Sequence, residues 1–74
     1  MDEIEARNFT WCSAWYPAEL NHYKFVVMTP DKREAERRAV AYATRVWGEP
    51  ASVNVYPRTY VRKAKAAYAA GFHD

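Results

Sequence analysis

The sequence predicts a small α+β domain whose strands and helices follow the order ββαβα. Three observations support this fold class: a long amphipathic segment with helix signals at both ends, three short segments that alternate in the manner of strands, and an alanine-rich segment with helical spacing. We expect a three-stranded, mainly antiparallel sheet with the first helix packed on one face. A single domain should cover residues 1–74.

The central helix is predicted within residues 29–48. Thr29 can cap it with Pro30 at the first helical position. Alternatively, Asp31 is the cap and Glu34 completes a capping box. Gly48 can close the helix in a left-handed conformation. Helical spacing predicts a buried face made of Ala35, Ala39, Tyr42, Ala43, Val46 and Trp47.

Three segments have the alternation of strands. Residues 23–29 place Tyr23, Phe25 and Val27 on one face and lead directly into the helix. Residues 8–16 carry aromatic side chains on both faces, so the pattern leaves open which face meets the helix. Residues 51–57 form the third strand, which can pair beside either of the others.

The remaining segments are connections, a second helix and the chain ends. Residues 17–22 predict a hairpin connection. The second helix should begin at Arg58 or Thr59, with Thr59 as a cap, and end at Ala70 before Gly71. It could join the first helix, protrude, or cover the aromatic face of the first strand that the first helix leaves open. Residues 1–7 are expected to be a polar lead-in and residues 72–74 a frayed tail.

The composition argues against an enzyme, a metalloprotein and a membrane protein. One cysteine, Cys12, excludes an internal disulfide and a multi-cysteine zinc site. Cys12 and His22 could imitate a nucleophile and its base, but a cysteine in a strand is more often a core residue. The chain has no long apolar run and its start is acidic, so we expect a cytoplasmic protein. We also expect no cofactor and no metal.

The candidate binding residues are basic and aromatic. Lys and Arg neutralise phosphates and Tyr stacks on bases, while Tyr and Arg also anchor protein interfaces. Charged helix faces are often only solvated, and Glu34 with Arg38 has the spacing of an ordinary helix ion pair. The predicted partner-binding residues are Arg33, Arg37, Tyr56, Arg58, Tyr60, Arg62, Lys63 and Lys65.

In its length, its lack of catalytic residues and its strand–helix–strand core YKFVVMTPDKREAERRAVAYATRVWGEPASVNVYP, the chain resembles the small anti-CRISPR proteins of phages and mobile elements. The resemblance covers most of the chain and assigns no site residue. It implies a non-enzymatic, protein-binding inhibitor of a CRISPR-Cas surveillance complex that blocks target DNA recognition. With a net charge of +2, such an inhibitor would occlude a protein surface rather than imitate a DNA duplex.

Two alternatives remain open from the residues alone. One is a small nucleic-acid-binding module that uses the basic C-terminal helix, since Arg62, Lys63 and Lys65 give this helix a basic polar face. The other is a purely structural subunit, which would self-assemble. The sequence does not decide between a monomer and a homodimer.

Overall fold

The computed structural model describes residues 9–57 and 60–74, which form a three-stranded sheet between two helices. The predicted α+β class and ββαβα order are confirmed. The elements are β1 (Thr10–Tyr16), a 3₁₀ turn (Pro17–Glu19), β2 (Asn21–Val27), α1 (Lys32–Trp47), β3 (Ser52–Pro57) and α2 (Val61–Ala69).

β1 lies at the centre of the sheet, between β2 and β3. It pairs antiparallel with both, so that Cys12 lies opposite Phe25 on one side and opposite Val55 on the other. The two edge strands therefore run parallel to each other, and the connection through α1 crosses β1. Of the two pairings that the sequence left open for the third strand, the one beside the first strand is formed.

At both ends of α1, neighbouring residues form hydrogen bonds with backbone N–H or C=O groups of the terminal turns. Asp31 is the N-cap, and its carboxylate accepts a hydrogen bond from the Glu34 N–H at 2.8 Å. Thr29 contributes two residues earlier, because its hydroxyl accepts a hydrogen bond from the Asp31 N–H at 3.3 Å. Gly48 closes the helix with a φ of 96°, and its N–H donates to the Thr44 carbonyl at 3.1 Å. The Asp31 start is therefore the one adopted, but Glu34 does not complete the predicted capping box, because the Asp31 N–H donates to Thr29 and the Glu34 carboxylate pairs with Arg37.

α1 covers the sheet face that carries Cys12, through small side chains and one aromatic cluster. Its fully buried alanines let the helix approach the sheet closely, and the rings of Tyr42 and Trp47 pack around Phe25 at centroid distances of 4.9 and 5.7 Å. Val46 was predicted to be buried but is 44% exposed. It lies in the last turn, beyond Ala43, which is the final buried residue of the helix.

α2 packs on the opposite face of the sheet. Its buried residues Ala64 and Ala67 contact Phe9, Trp11 and Val26, whose side chains alternate with those facing α1. The helix thus covers the second aromatic face of β1, one of the three placements left open. Its N-cap is Tyr60; the predicted starts at Arg58 and Thr59 lie outside the described residues.

The hairpin connection is shorter than predicted. Leu20 adopts a left-handed conformation with a φ of 50° after the 3₁₀ turn, and β2 already begins at Asn21. His22 is therefore a strand residue and not a loop residue. The predicted polar lead-in, residues 1–7, lies outside the described part of the chain.

Residues 72–74, expected to fray, instead run along the outer edge of β2. The Val26 N–H donates to the Phe72 carbonyl at 3.0 Å, and the Asp74 N–H donates to the Val26 carbonyl at 3.2 Å, which makes a short parallel bridge. The Phe72 ring stacks on Trp47 of α1 at 6.2 Å. The tail thereby connects the layer of α2 to the layer of α1.

Candidate interaction surface

The predicted partner-binding residues lie on both faces of the sheet, so they do not form one site. Arg33 and Arg37 are exposed on α1. The others that the structure describes belong to β3 and to α2 on the opposite face, and Arg58 lies outside the described residues. This second group consists of Tyr56, Tyr60, Arg62, Lys63 and Lys65.

The basic residues of α1 are interleaved with acidic ones. Arg37 forms an ion pair with Glu34 one turn earlier. The predicted pair between Glu34 and Arg38 is wrong, because Arg38 instead binds the carboxylate of Asp74 across the tail. The exposed Glu36 adds a further negative charge. This face of the molecule is therefore mixed in charge and does not favour an anionic partner.

We term four side chains near the start of α2 the anchor patch: Tyr56 of β3, Tyr60, Arg62 and Lys63. Tyr56 and Lys63 both contact the Tyr60 ring, and Arg62 is an exposed neighbour in the sequence. The Tyr60 ring meets Tyr56 edge-on at 5.6 Å and lies 6.4 Å from the buried Trp11. The Lys63 ammonium lies 5.1 Å from the Tyr60 ring centroid, within the range of a cation–π contact. Tyr60 is still 48% exposed, so it is supported on several sides and open to solvent.

The backbone of Tyr60 contributes to this placement. Its φ of 59° and ψ of 40° are left-handed, and none of the side chains that the structure describes caps the helix that follows. A left-handed conformation costs a non-glycine residue roughly 1–2 kcal/mol. Residues kept in such conformations are enriched at binding sites, where the surrounding structure fixes them. The left-handed backbone of Tyr60 lies directly before α2, and the Tyr60 ring packs near Trp11.

The other end of the same sheet face carries a second group, which we term the open half: Ser13, Trp15, His22, Lys24 and Asn54. Trp15 and His22 are cross-strand partners whose rings lie 4.5 Å apart at 33°. Ser13 lies between Lys24 and Asn54 in the strand register. His22, Lys24 and Asn54 are exposed, which shows that α2 does not cover this part of the sheet.

Ser13 is the unusual residue of the open half. Its side chain is 1% exposed, and its hydroxyl oxygen is buried without a hydrogen-bond partner. Leaving a buried polar group unpaired costs about 1–3 kcal/mol. The centre of this sheet face therefore holds a donor and acceptor that the described part of the chain does not satisfy.

The charges on this side of the sheet have one sign. Among the described residues, the strand positions that face α2, together with α2 itself, include four cations and no aspartate or glutamate. The contrast with α1 gives the molecule one basic and one mixed surface. The cations are Lys24, Arg62, Lys63 and Lys65.

Cys12 cannot act with His22, because their side chains lie on opposite faces of the sheet. Burial is the main cause that raises the pKa of the Cys12 thiol to about 12, so the thiol is protonated and unreactive at neutral pH. In the described ranges, no three His, Cys, Asp or Glu residues are grouped so as to hold a metal ion. None of the helices described is long and apolar enough to cross a membrane.

The residues of the anchor patch are among the partner-binding residues predicted from the sequence, whereas those of the open half are not. The signal was present, since alternation places Trp15 and Lys24 at regular strand positions. The sequence pattern places His22 in the connection between the strands. It also does not give the register between β1 and β2. Only the pairing of Trp15 with His22 brings these side chains together.

The interpretation of both groups rests on their own residues and contacts. Comparison of the chain with protein-family models, with curated proteins and with solved structures found no match.

Proposed function

We propose that this protein is a non-enzymatic inhibitor that binds a protein partner through the anchor patch. The observation that carries the proposal is the exposed Tyr60 ring, packed near Trp11 and contacted by Lys63. Tyr, Trp and Arg are the side chains that dominate binding energy at protein interfaces. A ring already held in place loses little conformational freedom on binding, which favours affinity.

The partner we propose is a CRISPR-Cas surveillance complex in the host-cell cytoplasm. The resemblance in size and in the strand–helix–strand core supports this choice, together with the lack of any acidic side chain on the described α2 side. A basic, aromatic surface complements an acidic protein surface and does not imitate DNA. The protein would act stoichiometrically, without a cofactor, by covering a surface that the complex needs for target recognition.

The test measures target DNA binding by purified CRISPR-Cas surveillance complexes in the presence of increasing amounts of the protein. We expect one complex to lose DNA binding at a stoichiometric ratio. The double variant Arg62→Glu with Lys63→Glu reverses both exposed charges of the anchor patch. It should weaken inhibition by about tenfold or more, because it places like charges against the acidic partner surface.

The matched control is Lys32→Glu with Arg33→Glu, which makes the same charge change at exposed positions of α1. Acidic residues in the first turn also agree with the helix dipole, so the control should fold. We expect inhibition within about twofold of the unmodified protein, since exposed charges far from an interface contribute little to binding. Full inhibition by the Arg62 and Lys63 variant would exclude the anchor patch, and failure to inhibit any complex would exclude the proposed partner.

A further inference from the structure

We propose that the open half is a second binding site, which takes unpaired bases of a single-stranded nucleic acid. One base would stack on the outer face of His22, and its phosphate would lie at Lys24. This site is distinct from the basic helix that the sequence suggested for nucleic acid. It also does not depend on the inhibitor proposed above, because the two sites share no residue.

The stacking surface is already assembled. Trp15 is partly buried in the sheet, and its ring lies 4.5 Å from that of His22. His22 is exposed, so one side of its ring is packed against the indole and the other is available to a ligand. An aromatic ring fixed in this way accepts any base, because every base has a π-face.

Polar groups surround this stack at the spacing of the strands. Lys24 lies two residues beyond His22 on the same face of β2, roughly 7 Å along the strand. Asn54 lies on the other side of β1, and its amide can both donate to and accept from the edge of a base. The Ser13 hydroxyl between them is buried and has no partner in the described structure.

The chemistry of this surface favours a single strand over a protein or a duplex. Trp15 is the one large apolar side chain of the open half, which is too little for the apolar core of a protein interface. A sheet face with a close aromatic pair can use bases for stacking only when they are unpaired. The described α2 side of the sheet carries no acidic side chain, so a phosphate held at Lys24 meets no like charge there.

The experiment is a fluorescence-anisotropy titration of the whole protein with labelled oligothymidylate and oligouridylate of about ten nucleotides, within the usual range of single-strand sites. A DNA duplex of equal length serves as the comparison. We expect both single strands to bind at least about tenfold more tightly than the duplex, because the duplex offers phosphates but no free bases. Affinity should fall with salt on a shallow slope that reflects few phosphate contacts.

Variants locate the site. His22→Ala removes an exposed ring and should weaken single-strand binding by about fivefold or more. Lys24→Glu should do the same, whereas Lys32→Glu, an identical charge change on α1, should leave the affinity within about twofold. Circular dichroism confirms that each variant is folded.

Three outcomes would overturn the proposal: no binding of single strands at low salt, equal affinity for the duplex, or equal losses from Lys24→Glu and Lys32→Glu. A fourth is that His22→Ala leaves oligonucleotide binding intact and weakens inhibition of a CRISPR-Cas complex, which would make the open half a protein surface. Failure of the inhibition assay alone leaves the oligonucleotide titration unaffected, so the two proposals fail separately.

Discussion

Arg38 and Asp74 form an ion pair that fastens the tail to α1. The Arg38 Nε donates to Oδ2 of Asp74 at 2.6 Å, and Oδ1 of the same carboxylate accepts from the Met28 N–H at 2.8 Å. The Asp74 side chain is only 14% exposed, so solvent screens this pair less than an ordinary surface pair. One carboxylate therefore joins the helix, the strand edge and the tail.

Replacing this carboxylate should destabilise the fold. We expect Asp74→Ala to lower the free energy of unfolding by about 1–3 kcal/mol, because the Met28 N–H and the Arg38 guanidinium both lose a charge-assisted hydrogen bond. Urea denaturation followed by circular dichroism measures the change. Glu36→Ala is the control, since this carboxylate is exposed on α1 and its loss should change stability by less than about 0.5 kcal/mol. Equal effects would show that the tail contact contributes nothing.

The hydroxyl of Tyr16 should stabilise the junction between β1 and the end of α1. It donates to the Gly48 carbonyl at 2.7 Å. We expect Tyr16→Phe to lower the unfolding free energy by about 1–2 kcal/mol, because it leaves a part-buried carbonyl without this donor. Tyr23→Phe is the matched control: its hydroxyl binds the exposed Glu19 carboxylate, which water can replace. Comparable losses in both variants would contradict this assignment.

Stability should decrease at alkaline pH. Burial raises the pKa of the Cys12 thiol from 9.0 to about 12, so the native protein retains a proton that the unfolded chain releases. The contribution of this retained proton to the free energy of unfolding is complete below pH 9.0. It is lost as the pH rises toward 12, by at most about 1.4 kcal/mol per pH unit. Burial also raises the pKa of Tyr16 and of Tyr42, which acts in the same direction above pH 10.0.

The measurement is the free energy of unfolding in urea at several pH values across this interval. Cys12→Ala removes the thiol and should reduce the slope of stability against pH, while the slope from the two tyrosines remains. The variant will be less stable at neutral pH because it loses buried sulfur, so the slope and not the absolute value is compared. If Cys12→Ala leaves the slope of stability against pH unchanged, the native protein does not retain the thiol proton in this pH interval.

Ser13→Ala should stabilise the protein. The hydroxyl is buried and unpaired, so its removal relieves a desolvation penalty of about 1 kcal/mol or more and leaves the smaller methyl group of alanine at the same position. Ser52→Ala, at an exposed position of β3, should be nearly neutral. Thermal denaturation of both variants tests this. A loss of stability in Ser13→Ala would indicate that the hydroxyl has a structural role.

The parts of the fold that were predicted are those with local causes. Asp31 and Gly48 mark the ends of α1 through capping chemistry that acts within a few residues. Alternation assigned the faces of β1 and β2 because strand side chains have a fixed period of two. The position of β3 and the face chosen by α2 depend on packing between distant segments, which a single pattern does not encode.

The candidate surface was predicted in part for the same reason. The sequence could group Tyr60 with Lys63, since the two residues are close in the chain and lie at the same helix end. The sequence does not separate Arg33 and Arg37 from this group, because the pattern alone does not show which face of the sheet each helix covers. His22 was missed because the left-handed Leu20 ends the turn earlier than the sequence indicated.

The bridge at Val26 also bears on how the protein avoids aggregation. An edge strand with free backbone groups is a template onto which another chain can add. Phe72 and Asp74 occupy the N–H and the carbonyl that Val26 turns outward, so part of the β2 edge is already paired. A chain shortened by these last residues would present that edge to its neighbours, and we expect it to associate into larger species under conditions in which it is still folded.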